Sequence, residues 1–241
     1  MSIRFPNESD EYRTARNRLL EAERELREKT EAVAAQRRAL PLGGEITTDY
    51  VFDEGPTDLE STSTAKEVRL SGLFGNKDTL VLYGYMFGPT AKAPCPLCTS
   101  FLDGLEGQAH HLTQHVALAV SARSPIARVR ELGRARGWRR LRLLSSSRSG
   151  YQRDYHAEID DAHQMPMMNI FAKRDGKVFH TWGSELLYAE NPEGMDSRHI
   201  DILWPLWNVL DLTPAGRGTQ WYPKLGYEVP ALDEGAARST V

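Results

Sequence analysis

Only two cysteines occur in 241 residues, so no multi-disulfide scaffold is available and the core has to come from packing. Long apolar runs are missing as well. The longest, Leu80 to Phe87, is interrupted by Gly84 and falls far short of the roughly 18 residues a membrane span needs. Neither sign of charge dominates: 30 Lys+Arg against 33 Asp+Glu leave a net charge of −3, which gives no global reason to expect nucleic acid or an anionic membrane as partner. The start, MSIRFPNESDEYR, lacks the apolar stretch of a secretory signal, and the expectation is a cytoplasmic chain. No glycine-rich phosphate loop is visible, so no nucleotide cofactor is expected, and Ser145-Ser146-Ser147 lacks the G-x-S-x-G frame of a serine hydrolase. What remains is ordinary globular composition, 40% hydrophobic and 26% charged, at a length suited to one decorated α/β domain.

The two cysteines stand together, as Cys95-Pro96-Leu97-Cys98. A C-x-x-C beside a β-α-β pattern reads as a redox pair or as half of a metal site. The flanking pattern is of that kind. Thr79 to Phe87 has the length and apolarity of a buried strand, and Thr99 to Gln114 reads as helix. Val116 to Ser121 is a second strand, Ser124-Pro125 reads as N-cap and N1 of a helix that ends before Gly137, and Leu141 to Ser145 is a third strand. This alternation predicts a parallel sheet with helices on its faces. Further on, Met167 to Ala172 and Lys177 to Trp182 are joined through Asp175-Gly176, a strong hairpin signal. Arg198 to Leu210 reads as a helix interrupted by Pro205. The tail from Pro214 is rich in Gly, Pro and polar residues and is expected to be poorly ordered at its end.

Ahead of this domain, residues 8–38 hold eight acidic and eight basic residues and no Gly or Pro, with Ser9 as a candidate N-cap. One long helix is predicted. Its apolar stripe (Ala15, Leu19, Ala22, Leu26, Val33) is too narrow for a sustained coiled coil, so it reads as a solvated arm on its own domain, with a homodimer contact as the alternative. A short strand is expected at Ile46 to Phe52 and a helical turn near Leu70 to Gly75. The organisation is then a helical arm (1–44), an α/β domain (45–215) and a tail (216–241).

At the junction between a strand and a helix, Cys95 would sit where free N–H groups and the helix dipole favour a thiolate, with Cys98 one turn on to resolve a mixed disulfide. Pro96 suits N1 because it has no N–H to lose. Pro166, at the start of the hairpin, is the third candidate site residue. In a thioredoxin-like fold a cis-proline there faces the Cys pair and presents backbone to the substrate. The competing pattern is C-x₂-C-x₁₂-H-x₃-H through Cys95, Cys98, His111 and His115, the spacing of a zinc finger. Against it, a long buried strand runs into the Cys pair and Asp103-Gly104 lies in the gap; the histidines otherwise suit a helix C-terminus. Nine arginines and one acid, Glu131, fall between Arg123 and Arg148, and are read as a solvated helix face and strand ends. Trp204, Trp207, Trp221 and Tyr222 are assigned to packing against the sheet or a subunit partner.

These stretches together resemble a bacterial family of thioredoxin-like dithiol–disulfide oxidoreductases, catalogued as DUF899. The matching residues are Tyr50-Val51-Phe52, Leu80 to Gly88, PCPLCTSFLDGLEG (94–107), ALAVSARSPI (117–126), RGW (136–138), LLSSS (143–147), Arg153-Asp154-Tyr155 and LDLTPAGRG (210–218). The resemblance implies a thioredoxin-like α/β fold, a central mixed sheet flanked by helices, with an N-terminal helical arm. It also implies Cys95 as nucleophile and Cys98 as resolving thiol, acting on a disulfide-containing substrate with a reducing partner and no cofactor. Ala93-Pro94 replaces the Trp-Cys-Gly-Pro pattern of thioredoxin itself. The approach to Cys95 also resembles that of peroxiredoxins, but Lys92, Ala93 and Pro94 stand where their peroxidatic threonine would be, which makes direct peroxide reduction the weaker variant.

Overall fold

In a computed structural model of the chain, residues 3–228 are described, and they divide into two compact units at Gly43/Gly44. The first is a helix, α1 (Asp10–Ala39), started by the Ser9 side chain, which accepts from the Tyr12 N–H, and stopped at Leu40. None of its residues is buried, and ion pairs join Arg16 to Glu23 and Arg24 to Glu21 along it.

The second unit is built on a seven-stranded sheet. Its strands are β1 (Val51–Glu54), β2 (Lys66–Arg69), β3 (Thr79–Tyr85), β4 (Ala117–Ala122), β5 (Arg142–Ser145), β6 (Met167–Arg174) and β7 (Lys177–Gly183), in the order β2-β1-β5-β4-β3-β6-β7. The β5-β4-β3 centre is parallel, and β6, β7, β1 and β2 add antiparallel pairings on either side. The crossovers of the parallel centre are helices α2 (Pro96–Leu112) and α3 (Ile126–Arg136). A short helix α4 (Tyr151–Asp154) precedes the hairpin, and α5 (Pro205–Asp211) follows it. This is a thioredoxin-like arrangement: β-α-β, then an antiparallel hairpin docked beside the first strand.

The centre of the sheet is buried on both faces, which is why β3 reads as a nearly continuous apolar run. Val81, Tyr83 and Tyr85 face the layer containing Cys98, Phe101, Trp138 and Trp204, whereas Leu80 and Leu82 face Phe52, Phe74, Tyr151 and Phe171. Gly84 breaks the run because the second face has no room: a Cβ there would lie 2.8 Å from that of Ala157. The hairpin turn at Asp175-Gly176 places both residues at positive φ (50° and 77°), the conformation that Asp-Gly favours.

Some boundaries differ from the sequence reading. The first strand begins at Val51, and its predecessor Ile46 instead donates its N–H to the Val178 carbonyl. Ser124 does not cap α3. Its hydroxyl donates to the Gly88 carbonyl, and Pro125 takes the N-cap position. Gly137 is the left-handed C-cap of that helix, as its sequence position predicts. The segment expected as one helix from Arg198 is a 3₁₀ turn at Asp201–Leu203 followed by α5, with Pro205 at N1. No helix among the described residues is long and apolar enough to cross a membrane. The end of the tail, expected to be poorly ordered, lies outside the described residues.

Candidate functional site

The site forms at the carboxyl end of β3, where α2 begins. Beyond Tyr85 the chain is pinned from both sides. Ser124 donates its N–H to the Phe87 carbonyl, Arg128 donates to the carbonyls of Pro89 (3.1 Å) and Ala91 (2.7 Å) while lying over the Phe87 ring, and the Cys95 N–H bonds back to Met86 (3.0 Å). Cys95 is thereby held at the N-cap of α2 in extended backbone conformation (φ −64°, ψ 123°). Its sulfur accepts from the Cys98 N–H at 3.5 Å, the contact an N-cap side chain makes. Pro96 at N1 contributes a preset φ and lacks only a donor that would have been free.

The two sulfurs are both free thiols but occupy different environments: Cys95 is partly exposed, whereas Cys98 is 3% exposed. The Cys95 thiol is pulled down to about 6, first by a hydrogen bond from Cys98, against the effect of its own burial, and further by the backbone N–H groups of Cys98 and Leu97. Burial pushes Cys98 well up, and the neighbouring Cys95 adds to this; a hydrogen bond with Tyr83 works in the opposite sense. The Tyr83 hydroxyl, itself raised by burial, therefore stays protonated as a donor. One thiolate and one thiol, a helical turn apart, are what disulfide exchange requires of an attacking and a resolving sulfur. Reactivity towards iodoacetamide checks the assignment. Alkylation of Cys95 is expected to follow a midpoint near pH 6 in place of the ordinary thiol value, and to fall roughly tenfold per pH unit below it as the thiolate protonates; mass mapping should find Cys98 unmodified.

Pro166 reaches the same place by register. Gly84 pairs with Met167, so the residue before β6 arrives beside the end of β3. Pro166 lines a cavity of about 360 Å³ together with Cys95, Cys98 and Tyr83. The Met165–Pro166 peptide bond, whose isomer the sequence leaves open, is trans.

The zinc-finger reading does not survive the geometry. Cys95 and His111 lie at opposite ends of α2, about 24 Å apart at 1.5 Å per residue. Among the described residues, no group of three or more His, Cys, Asp or Glu could hold a metal. The arginine run is a solvated face only in part: Arg134, Arg139, Arg140 and Arg148 are exposed, and others are tied into the fold. Arg123 bonds Glu158, Arg136 bonds Asp103, Arg142 bonds Glu54, and the buried Arg130 donates to the carbonyls of Pro56, Asp58, Leu59 and Ser61.

Sequence reasoning misplaced the C-terminal aromatic cluster. Trp204 and Trp207 are buried against Phe101 and Cys98, as packing residues are, but with Trp221 and Tyr222 they also wall the cavity over Cys95. His199 lies in the same wall. The spacing of the tryptophans was the available signal. What it lacked was any local indication that the chain beyond β7 returns across the start of α2.

Residues 3–230 match the model of a family described as bacterial protein of unknown function (DUF899). No curated protein matches the chain. Solved structures with partial likeness include the oxidised Prx3 of Vibrio vulnificus, with 15% identity over 60% of this chain and 87% of that one and a TM-score of 0.42. Enterococcus faecalis AhpC shares 11% identity over 70% and 91% of the two chains at 0.46. Thioredoxin peroxidase I of Plasmodium yoelii shares 16% over 76% and 100% at 0.45.

Proposed function

We propose that this chain, which belongs to the DUF899 family, is a thiol–disulfide oxidoreductase whose redox centre is the Cys95/Cys98 pair. Cys95 attacks a substrate disulfide, Cys98 resolves the mixed disulfide, and Pro166 shapes the surface against which the substrate docks. The domain that does this spans 45–215. A reducing partner in the cytoplasm returns the two electrons. One observation carries the reading: a partly exposed sulfur at a helix N-cap, accepting from the Cys98 N–H, with a second, buried thiol one turn on.

Thiol titration of the denatured protein tests it. Reduced protein is expected to give both thiols, and diamide-treated protein none, with the mass of a single chain and full recovery on adding a dithiol. Persistence of both thiols after oxidation, or their loss only into disulfide-linked dimers, would refute the assignment.

A further inference from the structure

Resting on that reading, we propose that the cavity over Cys95 is a binding site for a low-molecular-weight, neutral, aromatic disulfide carrying a hydrogen-bond acceptor. The first ground is shape. Cys95 lies in a cleft that is partly open to solvent, and not on a flat face. The chain beyond β7 comes back over it, and about 360 Å³ suits a molecule of two small rings. The wall is aromatic: the Trp207 ring lies 5.5 Å from that of Trp204, 6.2 Å from Trp221 and 6.4 Å from Tyr222, each edge to face. Such a lining favours planar apolar groups.

Charge gives the second ground. The cations beside the cavity are already spoken for, since Arg217 bonds both Asp201 and Asp211, and Arg198 lies 4.0 Å from Asp201. Among the described residues, both arginines lining the cavity therefore have a carboxylate beside them, which argues against a carboxylate-bearing ligand such as a peptide thiol. The third ground is two polar atoms that lack partners. His199 Nε2 and Trp204 Nε1 are buried and have no hydrogen-bond partner among the described residues, and both residues line the cavity. Buried polar groups are ordinarily satisfied. Indole can only donate, so what is missing on that side is an acceptor. Burial holds His199 below its ordinary value, leaving a neutral imidazole able to face an uncharged ligand.

The chemistry balances as follows. The Cys95 thiolate forms a bond to one sulfur of R–S–S–R as the S–S bond breaks, and the first R–S⁻ leaves. Cys98 then gives up its proton and its sulfur displaces the second R–S⁻ from Cys95. The protein loses two electrons and becomes the Cys95–Cys98 disulfide; a dithiol reductant restores it. Aromatic thiolates are good leaving groups because their thiols are acidic.

The test uses pre-reduced full-length protein freed of reductant, with 4,4′-dithiodipyridine as probe and its carbon isostere, 1,2-di(4-pyridyl)ethane, as a ligand that cannot react. Thiopyridone release is expected to saturate with probe concentration, the isostere to bind by calorimetry, and insulin to oxidise the protein far more slowly. Trp221→Ala should weaken both the half-saturation and the isostere's binding about tenfold. Trp204→Phe, which keeps a ring and removes the N–H, should weaken them about fivefold. A rate strictly linear in probe, no binding of the isostere, unchanged half-saturation in Trp221→Ala, or insulin reacting as fast as the probe would overturn the proposal while leaving the redox pair standing. Binding of the isostere with no cleavage of the probe would instead uphold the cavity's ligand class and defeat the oxidoreductase reading on which its chemistry rests.

Discussion

Replacing Cys95 with serine is expected to lower disulfide reduction by about 10³-fold or more, because the serine hydroxyl is not ionised where the thiol is. The corresponding Cys98→Ser protein should fail differently. Cys95 still attacks, releases one thiol equivalent per chain and then stalls, carrying the other half of the substrate as a mixed disulfide visible in the intact mass and removable by a dithiol. The asymmetry follows from the site: the sulfur with thiolate character is the partly exposed one, and the buried sulfur can act only on what Cys95 has already bound. Cys98 also donates the hydrogen bond that contributes most to lowering Cys95. The serine at 98 offers a donor in the same place, so the alkylation midpoint of Cys95 should stay well below that of a free thiol; Cys98→Ala should move it up. Wild-type turnover by either serine variant, or a Cys98→Ser protein that never accumulates the adduct, would exclude the two-cysteine mechanism.

Much of this site is local, and what is local is legible. The apolar run at Thr79–Tyr85, the proline after Cys95 and the one-turn spacing to Cys98 are each set by short-range backbone chemistry, and the structure assembles them at one strand–helix junction. The Asp175-Gly176 hairpin is another such case. Where the reading fails, the deciding contact is distant in sequence. Lys66–Arg69 is a strand only because its backbone adds to the edge of β1; its side chains are mostly exposed and show no alternation of apolar and polar residues. Ser124 looks like an N-cap from its neighbours, but its hydroxyl is taken by Gly88, 36 positions earlier. The aromatic wall over Cys95 depends on where the chain goes after the hairpin, which no periodicity encodes. The arginines of 123–148 mislead in part, for a related reason: a charge run resembles a solvated face whenever its carboxylate and carbonyl partners lie in other elements.

Glu106 carries the second large expected effect, and its role was invisible in the sequence for the same reason. It lies in α2, is 8% exposed, and its carboxylate accepts from the backbone N–H groups of Arg139, Arg140 and Leu141 at 3.0–3.1 Å. Those residues lead into β5 immediately after the left-handed turn at Gly137, a stretch with no helical or ladder partners of its own on that side. One turn earlier on the same helix, Asp103 accepts from the Trp138 indole N–H at 2.8 Å and from Arg136. Two carboxylates three residues apart therefore bind the α3–β5 connection to the helix that carries the cysteines at its start. Glu106→Ala strands three backbone donors at a buried position, at about 1–3 kcal/mol each before water relieves part of it, so a net loss of about 3–4 kcal/mol is expected. For a unit of this size that corresponds to a melting temperature lower by roughly 10 °C. Glu106→Gln should be nearly as damaging, because its amide NH₂ would face donors in place of an acceptor. Glu131→Ala, on the exposed face of α3, is the matched control and should change stability by no more than about 0.5 kcal/mol. A Glu106→Ala protein that melts within a degree or two of the control would mean that water replaces the carboxylate at no cost, and that α2 is held in place by its apolar face alone.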